Sequence, residues 1–182
     1  AFDGVGNYDY CETYVLVEAH DACGTEMATL SGVIITEENE GVQGVEVNVS
    51  NNTTTNTAVD GTYSLSLLEG DDYSITPYLD THPLNGVTTF DIILISKHIL
   101  GITPFDSPYK HIAADVNKSG SITTFDLVQL RQLILNVNTQ FTDNDSWRFV
   151  DASYNFTSSN PASEDFGEFY NIKNHDSDLE NM

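Results

Sequence analysis

The sequence has little positive charge and no long apolar run. Its 182 residues include 6 lysines and arginines against 28 aspartates and glutamates, a formal net charge of −22. A surface this acidic repels nucleic acid and anionic membranes, and it suits calcium and salty surroundings. No apolar run reaches the length of about 18 residues that a membrane helix needs, so we predict no membrane span. These absences exclude nucleic-acid-binding and membrane-embedded classes of protein.

Cysteine is also scarce: the sequence contains only Cys11 and Cys23. In an exported acidic chain we expect a disulfide between them that closes a short loop. A zinc site needs more ligands than this region offers. A catalytic cysteine needs a paired histidine, and a lone His20 is more often structural. The chain opens at Ala1 without a signal-peptide pattern, which we interpret as a processed or excised piece of a secreted protein.

A catalytic constellation is also missing from the sequence. The many acids form no recognisable carboxylate pair or Ser-His-Asp set, and solvated faces explain them better. We therefore predict that the protein is not an enzyme. The five histidines are scattered along the chain, at His20, His82, His98, His111 and His175.

What the sequence does contain is a calcium-type loop at 115–126, followed by an apolar-striped helix. Calcium is a hard cation that takes 6–8 oxygens, and this loop alternates short oxygen side chains around a central glycine, Gly120. The alternative is a metal-free turn before a helix, but the spacing, the glycine and the helix together favour calcium. The predicted ligands are Asp115, Asn117, Ser119, Ser121 through its carbonyl, Thr123 through a water, and Asp126.

Two of these ligands depart from the usual pattern of such loops. Loop position 12 is Asp126 rather than glutamate, and position 5 is Ser119 rather than aspartate. Both departures lower the charge or the reach of the ligand set. We therefore expect moderate calcium affinity.

The loop–helix unit occurs once earlier in the chain. TTFDIILISKHILG at 88–101 aligns with TTFDLVQLRQLILN at 123–136, an offset of 35. The first loop, 80–91, matches the calcium pattern less well. His82 stands at position 3, and the glycine, Gly86, stands at position 7, one place after the usual position 6. Two interpretations stay open for it: a second calcium site with backbone help, or a metal-free turn that holds the symmetric partner. The candidate ligands there are Asp80, Thr88 and Asp91.

The duplicated pattern, D-x-N-x-S-G-x-I-x-x-x-D followed by L-x-x-L-R-Q-L-I-L, resembles the dockerin type I family over about residues 80–138. The resemblance implies two calcium sites, three helices, an extracellular location and binding to a receptor domain called cohesin. It also implies that loop positions 10 and 11 carry recognition, usually as small hydroxyl residues. Here they are Thr89-Phe90 and Thr124-Phe125. The phenylalanines depart from that pattern, so they contact either the partner or the core.

Residues 27–79 are predicted to form a small β-sandwich. Short alternating strands are expected at 28–36, 45–50, 53–58, 61–67 and 73–79, separated by glycine-containing turns. The pattern GVQGVEVNVS followed by DGTYSLSL resembles carboxypeptidase regulatory-like domains. This resemblance implies a prealbumin-like or immunoglobulin-like module that serves as a spacer and brings no catalytic groups.

The two ends of the chain are expected to differ. Segment 1–26 holds an alternating apolar strand without an evident sheet, resembling the last hairpin of an immunoglobulin-like repeat. It either folds back on its own chain or is donated to a neighbour through Tyr10, Tyr14 and Leu16. Segment 139–182 is too apolar around Trp147 for a disordered tail, so we expect it to pack on the rest of the chain. The hydroxyl-rich tract at 51–57 is either a site of O-linked glycosylation or a solvated loop. Asn-x-Ser/Thr triplets, which are weak evidence for sugar in a bacterial protein, occur at Asn48, Asn51, Asn52, Asn144 and Asn155.

Together these features predict an α+β chain of four segments, 1–26, 27–79, 80–138 and 139–182. The favoured function is a non-enzymatic, calcium-binding structural or adhesive protein that assembles with itself into a layer or fibre on the bacterial cell surface. The alternative is a dockerin-type module that docks a secreted protein onto a cohesin-bearing scaffold. The predicted partner is therefore a second copy of the chain or a cohesin-like domain.

Overall fold

The structure is a computed structural model that describes residues 26–176. The predicted N-terminal strand with Tyr10, Tyr14 and Leu16, and the predicted Cys11–Cys23 disulfide, lie outside the described residues. No helix within them is long and apolar enough to cross a membrane. The elements are β1 (Met27–Val33), β2 (Glu46–Val49), β3 (Thr54–Asn56), β4 (Thr62–Leu68), β5 (Tyr73–Tyr78), α1 (Thr89–Ile99), α2 (Pro108–Ala114), α3 (Thr124–Ile134) and β6 (Tyr170–Ile172).

The strands form two antiparallel sheets, one of order β1-β4 and one of order β3-β2-β5-β6. Alternation of side chains decides which face is buried: in β2, Val47 and Val49 are buried while Glu46 is exposed. Apolar residues from both sheets meet in one core, whose fully buried members contribute roughly 1.5–3 kcal/mol each. That core contains Leu30, Val47, Val49, Leu67, Tyr73, Ile75 and Ile172.

The α+β class and the five strands expected between residues 27 and 79 are confirmed, with shifts at their ends. The first strand ends at Val33, because Ile35 makes only an isolated bridge to Gly41. The assignment to a prealbumin-like module remains a prediction. Strand β6, which pairs with β5 and comes from far along the chain, extends the larger sheet at its edge.

The three helices begin where short polar side chains cap them. Thr88 caps α1 and Thr123 caps α3, and in each case an aspartate at the third helical position completes a capping box. Ser107 caps α2, and Pro108 occupies the first helical position. Ile95 of α1 and Leu130 of α3 are buried in a second core shared with Ala114 and Val116.

Contacts join the sheets to the helices. Strand β5 ends at Tyr78, and Asp80 follows almost directly as the first residue of the first loop. The Ser107 hydroxyl at the start of α2 donates a 2.7 Å hydrogen bond to Glu37 Oε1, which lies just after β1. Strand β6 then returns the chain from the helical region to the larger sheet. The helical pair is therefore held against the sheets at several points.

Candidate calcium site and outward helix faces

The second loop (residues 115–126) curls around its first carboxylate. The backbone N–H of Ser119 donates to Asp115 Oδ1 at 2.9 Å, and that of Gly120 donates to Asp115 Oδ2 at 2.7 Å. Gly120 has φ +79°, a left-handed conformation that glycine adopts without steric cost. The turn that a calcium loop requires at position 6 is therefore present.

Asp126 closes the loop and is fully buried, with 0% exposure. Its Oδ2 accepts hydrogen bonds from the Thr123 N–H at 2.7 Å and the Thr123 hydroxyl at 3.2 Å. Its Oδ1 accepts one from the Asn117 N–H at 3.3 Å. A buried carboxylate is costly unless it is paired or coordinates a metal, so its place at loop position 12 fits a cation ligand.

Neutral oxygens lie between these two carboxylates. The Ser119 hydroxyl donates to the Ser121 carbonyl at 3.2 Å and to Asp115 Oδ1 at 3.3 Å, and Asn117 Oδ1 accepts from the Ser119 N–H at 3.1 Å. Hard oxygen donors of this kind suit calcium rather than a softer transition metal. No cluster of three or more His, Cys, Asp or Glu suited to a metal occurs among the described residues. The donor set therefore fits calcium with only two carboxylates.

The first loop (residues 80–91) follows a different backbone path. Its left-handed residues are His82, with φ +52°, and Gly86, with φ +77°, at loop positions 3 and 7. In the second loop they are Lys118, with φ +53°, and Gly120, with φ +79°, at positions 4 and 6. The slipped glycine therefore changes the shape of the loop as well as its sequence.

The candidate ligands of the first loop also have different partners. Asp80 Oδ1 accepts a hydrogen bond from the Ser146 N–H at 3.1 Å, far outside the loop. Thr88 and Asp91 contact each other in the capping box of α1, with the Thr88 N–H 2.7 Å from Asp91 Oδ2. Asp91 is half-buried, whereas its counterpart Asp126 is fully buried. Hydrogen bonds thus link the second-loop candidates Asp115, Asn117, Ser119 and Asp126 to one another, whereas Asp80 of the first loop bonds to a residue outside its loop.

Phe90 and Phe125, at loop position 11, face outward. Their exposed fractions are 61% and 71%, so neither belongs to the core. The preceding threonines, Thr89 and Thr124, are exposed as well. All four residues at the predicted recognition positions are thus open to a partner.

Other exposed apolar residues repeat at the same offset of 35. Each helix, together with the turn that follows it, therefore exposes apolar side chains in addition to those it buries in the core. Their repetition in both units makes them candidates for an interaction surface. The outward faces are formed by the matched pairs Phe90 and Phe125, Ile93 and Val128, Leu100 and Leu135, and Ile102 and Val137.

Sequence reasoning missed these other three pairs. The sequence predicts an apolar stripe on the helix after the second loop, but it does not separate the buried members of that stripe from the exposed ones. The width of the apolar stripe is the signal that could have found these exposed pairs, because a helix with one buried face needs an apolar arc of only about 100°. A wider arc, repeated in both units, indicates a second apolar face.

Aromatic packing joins α1 to α2. The His98 and Phe105 rings stack with centroids 4.6 Å apart, and His111 meets His98 edge-on at 4.8 Å. His98 Nδ1 accepts a 3.0 Å hydrogen bond from the Phe105 N–H. Burial, and next the neighbouring His111, lower the pKa of His98 below its ordinary value. His98 is therefore held in its neutral form.

Comparison with known families gives one match. Residues 85–135 match the model of the dockerin type I domain, a range that covers the three helices, the second loop and part of the first. No curated protein and no solved structure matches the chain. The match supports the dockerin-like interpretation of this part of the chain.

Proposed function

We propose that residues 80–138 form a calcium-dependent docking module that attaches this extracellular protein to a receptor domain of the cohesin type. The family match to a docking domain supports this function over self-assembly into a layer or fibre. Dockerins are non-catalytic docking modules, so this part of the chain is assigned no catalytic role. The β-unit, predicted as residues 27–79, serves as a spacer.

The observation that carries this proposal is the repeated outward face of α1 and α3. Phe90 and Phe125 are exposed at the two positions that the dockerin resemblance assigns to recognition. Exposing eight matched apolar side chains to water has no evident benefit for the isolated fold. A partner that covers them gains the free energy of removing that surface from water.

The partner should present an apolar recess. Small hydroxyl residues at loop position 11 would form hydrogen bonds, whereas Phe90 and Phe125 present large rings that need a hydrophobic pocket. The threonines at position 10, Thr89 and Thr124, keep hydrogen-bonding capacity beside each ring. We therefore expect a cohesin-like domain whose contact surface is more hydrophobic than one built for hydroxyl side chains.

A single calcium ion in the second loop would organise this surface. Asp115, Asn117, Ser119, the Ser121 carbonyl and Asp126 would hold it, with Thr123 acting through water. Calcium supplies positive charge beside the buried Asp126 carboxylate and fixes the loop from which α3 starts. In this proposal the first loop acts as a metal-free counterpart that presents Phe90.

The proposal is tested by titrating the protein with a panel of purified cohesin domains in an isothermal calorimeter, with calcium and with chelator. We expect a discrete complex with at least one cohesin that is lost in chelator. Native mass spectrometry of the protein alone, with and without calcium, tests the alternative. Concentration-dependent polymers without any cohesin complex would favour the fibre and contradict the docking function.

A further inference from the structure

The C-terminal segment (residues 139–176) touches both loops after leaving α3. The Asn144 side-chain amide donates to the Asp115 carbonyl at 3.3 Å, at the first residue of the second loop. The Ser146 N–H donates to Asp80 Oδ1 at 3.1 Å, and its hydroxyl lies 3.3 Å from the Thr81 carbonyl in the first loop. One short stretch of chain therefore holds the beginnings of both loops.

A charged group fastens the same segment to the middle of the second loop. Glu168 Oε1 lies 3.1 Å from Lys118 Nζ and 2.6 Å from the Arg148 guanidinium. Lys118 is loop position 4 and has φ +53°, a conformation that is unfavourable for a residue with a side chain. Burial raises the pKa of Glu168, but hydrogen bonds from Arg148 and Lys118 outweigh it, so the net pKa is lowered. The carboxylate is thus ionised and paired at neutral pH.

The segment also passes over the turn of the loop. A side chain built at Gly120 would come within 3.9 Å of the Ala162 carbonyl oxygen. A cavity of about 380 Å³ is lined by the loop (Asp115, Ser121) and the segment (Ala162, Phe166), together with residues of α1 and α2. The loop is therefore partly covered by residues from outside the matched range 85–135.

The far end of the segment is anchored in the larger sheet. Strand β6 pairs Ile172 with Tyr73, and Ile172 belongs to the core of the β-unit. His175 is fully buried, its N–H donates to the Asp71 carbonyl at 3.0 Å, and its ring lies edge-on to Tyr73. The segment is therefore fixed at both ends, by α3 and by the larger sheet.

From these contacts we propose that the C-terminal segment is part of the calcium site, and that Asn144 and Glu168 are positioning residues for the second loop. Asn144 holds the backbone of Asp115, and Glu168 holds Lys118 in its left-handed conformation. A loop ordered before the ion arrives loses less conformational entropy on binding, so calcium binds more tightly. The inference rests on the proposed calcium site and extends it beyond the matched domain.

Substitution of Lys118 separates positioning from simple charge effects. Removing a positive charge beside a divalent cation raises calcium affinity if electrostatics alone acts. Removing a residue that fixes the loop lowers it. For Lys118→Gln the two explanations therefore predict changes in calcium affinity of opposite sign. Glu168→Gln alone would not separate them.

The experiment measures calcium affinity of the whole chain by isothermal calorimetry, with the emission of Trp147 as a second readout. Trp147 is the single tryptophan in the sequence and lies between Ser146 and Arg148 in the segment. We expect Lys118→Gln, Glu168→Gln and Asn144→Ala each to weaken calcium binding by about two- to fivefold, the range of single partly exposed polar pairs. The double variant Lys118→Gln/Glu168→Gln should bind calcium no more weakly than Glu168→Gln alone, since each substitution already removes the Lys118–Glu168 contact.

The matched control is Asp106→Asn. It removes one negative charge from an exposed ion pair with Lys110 at the start of α2, and should leave calcium affinity unchanged. Wild-type protein that binds no calcium would overturn the proposed function. Wild-type binding together with Lys118→Gln binding that is equal or tighter would overturn the positioning role alone. Circular dichroism in chelator checks that each variant is folded.

Discussion

At the residue scale, Asp91 and Asp126 are the same residue in two repeats with different surroundings. Each completes a capping box with the preceding threonine. Asp126 is fully buried beside the oxygens of the second loop, whereas Asp91 is half-buried in a loop of different shape. Comparing substitutions at these two aspartates therefore distinguishes a contribution to helix capping from a contribution to metal binding.

We expect Asp126→Ala to abolish the rise in melting temperature that calcium causes, because a ligand is lost as well as a cap. Asp91→Ala should lose only the cap, at a cost of about 1 kcal/mol or less, and keep the full calcium effect. Thermal unfolding with calcium and with chelator measures both. An equal loss of the calcium effect in Asp91→Ala would show that the first loop also holds an ion.

His98 gives a pH dependence whose sign follows from its lowered pKa. The unfolded chain takes up this proton at a higher pH than the folded chain, so protonation favours unfolding. The contribution of His98 to stability is therefore fully present above its ordinary pKa of 6.5 and is lost as the pH falls toward the lower folded value. Denaturant unfolding between about pH 7 and pH 5 should show stability decreasing with acid, and less steeply in His98→Gln. An identical slope in the variant would contradict this.

At the element scale, α1 and α3 resemble each other on both faces. The inward faces pack Ile95 and Leu130 in the shared core, as repeated sequence patterns require. The outward faces repeat too, although nothing in the described residues covers Phe90 or Phe125. Helix stability does not require an outward apolar face, so its repetition supports the proposed docking function.

We expect Phe90→Ala/Phe125→Ala to weaken binding to a cohesin-type partner at least tenfold, since burying one phenylalanine contributes roughly 1.5–3 kcal/mol. Surface plasmon resonance measures the affinity, and the melting temperature should stay within a few degrees of wild type. Val59→Ala is the control, because Val59 is also exposed but belongs to the β-unit. If the control and the double variant lost equal affinity for the partner, the proposed docking surface would be wrong.

At the scale of the whole molecule, the C-terminal segment links the second loop to the larger sheet. Glu168 touches the loop two residues before β6 begins at Tyr170. Anything that stabilises the loop should therefore also reduce local opening of β6, and the coupling must act in both directions.

Hydrogen exchange measures this coupling directly. We expect calcium to slow exchange of the β6 amides, Tyr170–Ile172, and to leave the opposite edge strand β3, Thr54–Asn56, unchanged. The two strands lie at the two edges of one sheet, so β3 controls for general stabilisation of that sheet. Uniform slowing of both edges would indicate global stabilisation instead of transmission through the segment.

The sequence by itself determined the features that depend on local spacing. The second loop, the helix that follows it and the alternating strands of the β-unit need only neighbouring residues and the periods of helix and strand. The duplication also shows in the sequence, because its offset is constant. These features are present in the structure, with strand ends moved by a few residues.

Only the tertiary structure decided the features that depend on distant contacts. The exposure of Phe90 and Phe125 depends on which side of each helix meets the core, and a wide apolar stripe leaves that open. The hold of Asn144 and Glu168 on the second loop, and the addition of β6 to the sheet, depend on chain returns that no local pattern encodes. Such contacts form because folding brings together residues that are far apart in sequence. Their contribution to stability therefore depends on the packed structure and not on the local sequence.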